Sequence, residues 1–182
     1  NNAIMYAIYG QQTDIALTLL KRDDIGPSIN QSDKYGVTLL FLAISYKQTN
    51  IALKLIEHPN ISRQSINKPG VLTAAFLAGK KEATPLLAAI ATDQTEIVLA
   101  LLKRDDIKTS INQPSEHGLT PLLLAIAQKQ TDIALTLLKR DDIGPSINQA
   151  NKQGQIPFTI VFPQKQNTVV NQFLTHTLRI PF

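Results

Sequence analysis

The stretch Asp132-Ile-Ala-Leu-Thr-Leu-Leu-Lys-Arg-Asp-Asp-Ile-Gly-Pro-Ser-Ile-Asn-Gln149 occurs a second time, without a change, at Asp14–Gln31. A close relative, EIVLALLKRDDIKTSINQ, occupies residues 96–113, and a looser one, NIALKLIEHPNISRQSINK, occupies residues 50–68. A string of this length does not recur by chance. The chain is therefore a tandem array, and its fold and function must be interpreted as those of a repeat protein.

The repeats align on the asparagine that follows Ser-Ile, which is Asn30, Asn67, Asn112 and Asn148. The spacings between these asparagines are 37, 45 and 36 residues, so the basic period is 36, with one extra residue in the second repeat and nine in the third. A period in this range predicts a solenoid of small supersecondary units.

Composition excludes several classes of function. The 182 residues are 43% hydrophobic, which is ordinary for a folded domain. The net charge is +4 with Lys and Arg spread along the chain, which does not indicate a nucleic-acid surface. The absence of Cys excludes disulfides and thiolate chemistry. The chain opens inside a repeat without Met, so we expect a fragment of a longer protein.

The fourth repeat shows how one unit is built. Gly118–Ala127 reads as a turn and a helix, with Thr120 as N-cap and Pro121 at the first helical position. A second helix, capped by Thr131, is predicted from Asp132 to about Arg140. Residues 141–149 are then predicted to leave the helix, with Gly144 and Pro145 as helix breakers.

These motifs resemble the ankyrin repeat, whose pattern contains G-x-T-P-L, then I-V, L-L and a final Asn. In the fourth repeat the matching residues are Gly118, Thr120, Pro121, Leu122, Ala125, Ile133, Leu137, Leu138 and Asn148. The resemblance implies an all-α solenoid of about five helix-turn-helix repeats with hairpin-like loops. The chain would form one domain over 1–182. Its repeats would cover roughly 1–31, 32–67, 68–112 with an insertion at 69–82, 113–148 and a C-terminal cap at 149–174, and a tail would follow at 175–182.

The chain departs from the family at the glycine that joins the two helices of a repeat. Non-glycine residues replace it at Gln11, Lys47, Asp93, Lys129 and Lys165. If these residues adopt the left-handed conformation, each costs about 1 kcal/mol. The departure affects loop geometry and leaves the repeat assignment intact.

Nothing in the sequence predicts catalysis. The histidines His58, His117 and His176 fall at unrelated repeat positions, and none has metal-ligand spacing to a second His or a carboxylate cluster. No Gly-rich phosphate loop and no nucleophile motif occur. We therefore expect no enzyme in this chain, no metal, no cofactor and no small-molecule ligand.

Two ladders recur with the repeat and each has two interpretations. The Lys-Arg-Asp-Asp motif at 21–24, 103–106 and 139–142 is either a charge ladder for a partner or a helix end followed by a turn, and duplication favours the second. A leucine ladder, Leu17, Leu53, Leu99 and Leu135, is either an exposed stripe or buried by a rotated helix. We favour burial because four exposed leucines invite aggregation.

The insertion is the largest break in the period. It is apolar at Leu72, Phe76 and Leu77, and it could form about two helical turns capped by Thr73 and ended by Gly79. It is either a finger that carries these side chains to a partner or a loop that folds onto the array. The sequence leaves both open.

The ankyrin resemblance implies binding through hairpin tips and the exposed side of the first helices, which form a concave groove. Those positions differ between repeats, whereas the second helices are nearly copied. The tyrosines are the best anchors, since Tyr gives a large contact area at low entropic cost. Together with the insertion, the predicted protein-binding residues are Tyr9, Lys34, Tyr35, Val37, Ser45, Tyr46, Leu72, Phe76, Leu77, Thr92, Asp93, Glu116, His117, Leu119, Gln128, Lys152 and Gln153.

These observations predict a protein–protein interaction module without a nucleic-acid partner or a membrane span. The near-identical repeats, rich in Asn, Gln, Lys and Ile, resemble ankyrin-repeat effectors that intracellular bacteria secrete into host cells. That resemblance implies a cytoplasmic location, a host-cell cytoplasm after secretion, and a host protein as partner. The alternative function is a structural scaffold that packs against a separate catalytic domain of the same protein and positions it.

Overall fold

The fold is a series of short antiparallel helix pairs, seen in a computed structural model that describes residues 2–72, 81–161 and 167–178. The chain forms two compact units, Asn1–Ile107 and Lys108–Phe182. The first helices of successive repeats are α1 (Ala3–Tyr9), α4 (Leu39–Ser45), α7 (Pro85–Ala91), α9 (Pro121–Ala127) and α12 (Pro157–Val161). The second helices are α2 (Thr13–Leu20), α5 (Thr49–Glu57), α8 (Thr95–Leu102), α10 (Thr131–Leu138) and α13 (Asn167–Leu178).

The segment after each second helix also folds as helix. It contains the short helices α3 (Gly26–Ile29), α6 (Arg63–Asn67) and α11 (Gly144–Ile147), and the 3₁₀ turns Asp23–Ile25, Asp105–Thr109 and Asp141–Ile143. Residues 141–149 leave the second helix as predicted, since α10 ends at Leu138, but Gly144 and Pro145 do not act as helix breakers. Both lie in the first turn of α11, where a proline's missing N–H has no helical partner to lose.

Threonine caps fix where the first helices begin. The hydroxyls of Thr38, Thr84 and Thr120 each accept a hydrogen bond, at 3.2 Å, from the backbone N–H three residues along. Pro85 and Pro121 then occupy the first helical position. The predicted cap at Thr120 is confirmed.

The second helices begin differently from the prediction. Thr131 is already helical, and the N-cap is Gln130, which makes no side-chain cap bond. The reason is Lys129, whose φ of 59° turns the chain sharply and brings Gln130 to the helix end. In the first unit the equivalent glutamines use their amides elsewhere: Gln48 Nε2 donates to Ile8 O at 2.8 Å, and Gln94 Nε2 donates to Ile44 O at 2.9 Å.

The joint between paired helices adopts the left-handed conformation in four repeats, so the condition under which the missing glycine is costly is met there. Gln11, Lys47, Asp93 and Lys129 have φ values of 54°, 55°, 58° and 59°. Lys165 lies outside the described residues. Each of the four positions stores a backbone strain that glycine would relieve.

In the first unit the helix pairs stack side by side. Helix α4 packs between α1 and α7, and α5 packs between α2 and α8. The interior between them is apolar and fully buried, as at Ile8, Leu40, Ile44 and Leu55. In the second unit α9 packs on α10 and α12, and α10 packs on α13.

The repeat-defining asparagines join neighbouring repeats. Asn30 Nδ2 donates to Asn60 O at 2.7 Å, and its Oδ1 accepts from Ser62 N at 2.8 Å and Ser65 Oγ at 2.9 Å. Asn67 Nδ2 donates to Asp106 O at 2.8 Å. Through these bonds Asn30 and Asn67 each tie one repeat to the next, which gives the recurring asparagine a structural role.

The Lys-Arg-Asp-Asp motif forms an internal clamp. Arg104 donates to both carboxylate oxygens of Asp106 at 2.8 Å and, through Nη1, to Ile56 O at 2.7 Å. Arg140 pairs with Asp142 in the same way at 2.9 Å. These contacts agree with the preferred interpretation of the motif as a helix end followed by a turn.

The insertion stands on a strand pair that the sequence did not predict. Strands β1 (Gly70–Leu72) and β2 (Lys81–Ala83) run antiparallel, with Gly70 opposite Ala83. A Cβ on Gly70 would lie within 2.7 Å of three ring atoms of the buried Phe41, so only glycine fits. The predicted helical turns between Thr73 and Gly79 lie outside the described residues.

Two further predictions need correction. Leu17, Leu53, Leu99 and Leu135 are half-buried, so they form neither an exposed stripe nor part of the core. Near the C-terminus, α13 continues through Leu178, so residues 175–178 belong to a helix where a tail was predicted.

The strained joint predicts a stabilising substitution. Lys129→Gly should raise the free energy of unfolding by about 1 kcal/mol, because glycine accepts a positive φ without steric cost. Lys139→Gly is the matched control, since Lys139 is equally exposed but has φ −78°. Urea unfolding should show no gain for the control. If the Lys129→Gly protein were no more stable than the parent, the claim that the positive φ at Lys129 strains the backbone would be wrong.

The Arg104–Asp106 clamp predicts a dependence of stability on pH. The hydrogen bonds from Arg104, followed by its charge, lower the pKa of Asp106, and burial only partly opposes them. Its contribution, about 1 kcal/mol, is therefore present above the unfolded pKa of about 3.9 and is lost as pH falls through the folded pKa. Asp106→Asn should flatten acid unfolding monitored by circular dichroism between about pH 5 and 2.

Asp24→Asn is the control for this experiment. Asp24 forms the same pair with Arg22, but the two side chains are 68% and 60% exposed, so solvent screens their interaction. If Asp106→Asn and Asp24→Asn changed acid unfolding equally, the partial burial of the Arg104–Asp106 pair would add nothing to stability.

Candidate protein-binding site

All four tyrosines of the chain lie within its first 46 residues, and all are exposed. Tyr6 is 62% exposed and Tyr35 76%, while Tyr9 and Tyr46 are about two-fifths exposed. Exposed aromatic side chains of this kind are typical of protein interfaces, where they supply most of the binding energy. The first unit therefore carries the strongest candidate surface.

Tyr9 is the centre of this surface. Its ring meets that of Tyr46 edge-on, with centroids 5.8 Å apart and ring planes at 89°. Its hydroxyl donates a 2.9 Å hydrogen bond to Oδ2 of Asp33. Both rings come from the ends of first helices, so the framework of the repeats sets their spacing.

Asp33 holds the adjacent hairpin tip in shape. Its Oδ1 accepts the backbone N–H groups of Tyr35 and Val37, both at 2.8 Å, and Gly36 completes the turn with a φ of 80°. Ser115 and Asn151 use their side-chain oxygens in the same way at the corresponding tips. The predicted hairpin-like loops are thus built by one side-chain acceptor and one left-handed glycine.

The hairpin tip presents a cation next to the aromatic group. Lys34 Nζ lies 4.9 Å from the ring centroid of Tyr35, within the range of a cation–π contact. We call Tyr9, Asp33, Lys34, Tyr35 and Tyr46 the tyrosine cluster. Beside it is a cleft of about 650 Å³ lined by Asn2, Met5, Tyr6, Tyr9 and residues 31–35.

The electrostatics of the cluster keep Tyr9 neutral. Burial, then the hydrogen bond to Asp33 and the charge of Asp33, raise the pKa of Tyr9 to about 12. The Tyr9 hydroxyl therefore remains a hydrogen-bond donor over the whole physiological range. The carboxylate of Asp33 accepts three hydrogen bonds from within the protein. Its charge therefore stabilises the cluster and is poorly placed to bind a cation.

Other predicted residues of the first unit are less available. The hydroxyl of Ser45 donates to Phe41 O at 2.8 Å, and that of Thr92 donates to Ala88 O at 2.7 Å. Val37 is half-buried, and Asp93 is exposed at its left-handed joint. Leu72 lies in β1, whereas Phe76 and Leu77 lie outside the described residues.

The second unit brings four predicted residues together. His117, Leu119, Lys152 and Gln153 line a small cleft of about 220 Å³ with Asn151. Lys152 N donates to His117 O at 3.0 Å, which joins two successive hairpin tips. Glu116 is exposed beside them. Gln128 lies apart from this cleft, and its Oε1 accepts from Gln130 Nε2 at 3.1 Å.

Sequence reasoning missed Asp33 and Tyr6. A signal existed for Tyr6, because the equivalent residues Leu42, Ala88 and Leu124 are small or aliphatic and buried. The signal for Asp33 was its position three residues before Gly36. Ser115 and Asn151 stand at the same distance before Gly118 and Gly154.

Two kinds of site were not found among the described residues, a metal site and a membrane span. Across 2–72, 81–161 and 167–178, no group of three or more His, Asp or Glu side chains is placed to hold a metal ion. Within the same residues, no helix combines the length and apolar character that crossing a membrane requires.

Comparison with known proteins agrees with this architecture. Residues 65–151 match the family model of ankyrin repeats, with 3 copies. No curated protein sequence matches the chain. Ankyrin repeats are generally protein–protein interaction modules and generally non-catalytic. The fold is mostly helical, and the match together with the recurring helix pairs, threonine caps and hairpin tips supports an all-α ankyrin-repeat solenoid.

Proposed function

We propose that the chain binds a partner protein through the tyrosine cluster. The observation that carries this proposal is the pre-ordering of Tyr9, the central ring, by Asp33 and Tyr46 at an exposed surface. An aromatic side chain that is fixed before binding loses little conformational entropy when a partner arrives. The cluster therefore has both contact area and rigidity.

The chemistry of the cluster indicates the kind of partner segment. Tyr6 and Met5 give the adjacent cleft an apolar wall, which suits an aliphatic or aromatic side chain. Lys34 stands exposed over Tyr35, where its ammonium can bind a carboxylate or a backbone carbonyl. We propose a segment that carries an apolar anchor next to an acidic or carbonyl group.

The cleft in the second unit extends the proposal to a second contact. Its residues His117, Leu119, Lys152 and Gln153 lie at hairpin tips, as Lys34 and Tyr35 do in the first unit. The cleft is about a third as large as the one beside the tyrosine cluster and has no aromatic anchor. It therefore suits an auxiliary polar contact.

The cluster predicts that two tyrosines carry most of the affinity. A random peptide library displayed on phage would be panned on the parent chain, and the selected peptides measured by fluorescence anisotropy. Tyr35→Ser combined with Tyr46→Ser should weaken binding at least about 30-fold, as expected when interface anchors worth about 2 kcal/mol or more are removed. Circular dichroism should show an unchanged fold, because both side chains are exposed.

The control for this experiment is Lys54→Ser combined with Glu57→Ser. These residues form an exposed ion pair at 3.2 Å on α5, outside the tyrosine cluster. Their loss should leave peptide affinity unchanged. Selected peptides that bind the tyrosine variant and the parent equally would refute the proposed site.

We propose further that the partner is a host protein met after secretion by an intracellular bacterium. The support is the sequence resemblance to such effectors. Chemical crosslinking in a host-cell extract should then yield one adduct that the Tyr35→Ser/Tyr46→Ser variant loses, and a bacterial extract should yield none. An adduct of equal amount in both extracts would contradict a host-specific role.

A further inference from the structure

The second repeat lacks the arginine clamp that the third repeat has. His58 and Asn60 stand at the positions of Arg104 and Asp106, so the motif Lys-Arg-Asp-Asp is replaced by Glu-His-Pro-Asn. The backbone is not the cause, because His58 has φ −68° and ψ 129°, close to the φ −78° and ψ 138° of Arg22 at the same position in the first repeat. Two side-chain substitutions therefore remove the clamp from the second repeat.

The missing arginine leaves a backbone carbonyl without a donor. Arg104 donates through Nη1 to Ile56 O, at 2.7 Å, near the end of the preceding second helix. The equivalent carbonyl of the first repeat is Leu20 O, and it accepts no hydrogen bond from the residues that the structure describes. His58 does not replace the arginine, because its Nδ1 accepts the backbone N–H of Asn60 at 3.2 Å. Leu20 is only 7% exposed, and a largely buried carbonyl without a partner is costly.

An opening lies beside Leu20 between α2 and α5, and we call it the α2–α5 niche. It has a volume of about 400 Å³ and is lined by Leu17, Leu20, Lys21, Lys54, Glu57 and His58. Leu17 and Leu20 give the niche an apolar wall, on which the methylene stem of an arginine can pack while its guanidinium reaches a carbonyl. The side chains of Lys21, Lys54 and Glu57 are exposed, so they form a charged rim.

We propose that the α2–α5 niche binds an Arg-x-Asp segment of a partner protein. The arginine of the partner takes the place that Arg104 takes one repeat further along, and its guanidinium donates to Leu20 O. The chain itself contains this arrangement, since Arg104 donates with Nε and Nη2 to Asp106 and with Nη1 to Ile56 O at the same time. The partner brings both halves of the clamp that the second repeat lacks.

The charges at the rim explain why the segment needs an aspartate as well as an arginine. Lys21 stands where Glu57 stands one repeat further along, and it forms no ion pair with the described residues. Glu57 is also at the rim of the niche, but it pairs with Lys54 at 3.2 Å. A guanidinium on its own would meet a net positive rim, because Asn60 offers no charge in place of Asp106. A carboxylate two residues after the arginine pairs with the guanidinium and offsets the charge of Lys21.

The same chemistry disfavours simpler occupants. An apolar or purely acidic side chain leaves Leu20 O without a donor. A lysine has a compact ammonium group, which lacks the planar fork that lets one guanidinium bind a carbonyl and a carboxylate together. The niche shares no residue with the tyrosine cluster, so this inference does not depend on the proposed function.

The test titrates the peptide acetyl-Ala-Arg-Ala-Asp-Ala-amide into the isotope-labelled chain and follows binding by NMR. The carbonyl carbon of Leu20 and the amide nitrogen of Lys21 belong to one peptide group, so both resonances should shift when a donor reaches Leu20 O. A peptide with Gln in place of Arg, and another with Asn in place of Asp, should each bind about 10-fold more weakly, because each loses charge-assisted hydrogen bonds.

Two variants locate the binding at the niche. His58→Arg combined with Asn60→Asp gives the second repeat its own clamp, which fills the niche and should abolish peptide binding. Lys21→Ser changes one exposed side chain of the rim, keeps the fold, and should weaken binding about threefold, as expected for an exposed ion pair. Lys103→Ser is the matched control, because Lys103 is the exposed equivalent of Lys21 in the third repeat, and it should leave binding unchanged.

Several results would overturn the proposal. The Leu20 and Lys21 resonances could stay in place at millimolar peptide, or the three peptides could bind the parent equally. The Arg-x-Asp peptide could also bind the His58→Arg/Asn60→Asp variant as well as it binds the parent. A parent chain that is dimeric by light scattering, and monomeric with His58→Arg/Asn60→Asp, would show that a second copy covers the niche instead.

Discussion

Each repeat supplies side chains that satisfy carbonyl groups of its neighbour, and the fold depends on this exchange. Helices of seven to nine residues such as α4 and α5 are too short to be stable alone in water. Their ends leave carbonyl oxygens without helical partners. Within the first unit, Gln48 and Gln94 bind one set of these oxygens and Arg104 binds another. Apolar packing supplies the driving force, but these bonds fix the register of one pair on the next.

The need to bind carbonyl groups of a neighbouring repeat explains why the second helices are nearly copied while the hairpin tips vary. A residue that binds a neighbouring carbonyl cannot change without leaving a buried acceptor unsatisfied. The side chains of Tyr35 and Lys34 are not used to bind a neighbouring carbonyl in the described part of the chain. The shape of their hairpin tip is held by Asp33 and Gly36 instead. The helices therefore hold the fold without the side chains at the hairpin tips, which are free to vary with the partner. The repeated string that decides the fold is for the same reason a poor guide to the function.

The sequence predicted features whose cause is local and missed those whose cause lies elsewhere in the chain. The cap at Thr120 follows from residues within one turn. The role of Gln130 at a helix start could not be read locally, because its equivalents Gln48 and Gln94 bind oxygens of another repeat. Tyr9, Tyr35 and Tyr46 were predicted from their positions, but the bond from Tyr9 to Asp33 joins residues 24 apart in sequence.

Helix α1 joins the packing of the first unit to the tyrosine cluster. It packs on α2 and α4, and its last residue is Tyr9, whose hydroxyl donates to Asp33. A helix of seven residues depends on tertiary packing for its stability, so α1 holds Tyr9 beside Tyr46 through its contacts with the neighbouring helices. The packing of the first unit and the ordered arrangement of its exposed rings are therefore two consequences of the same contacts.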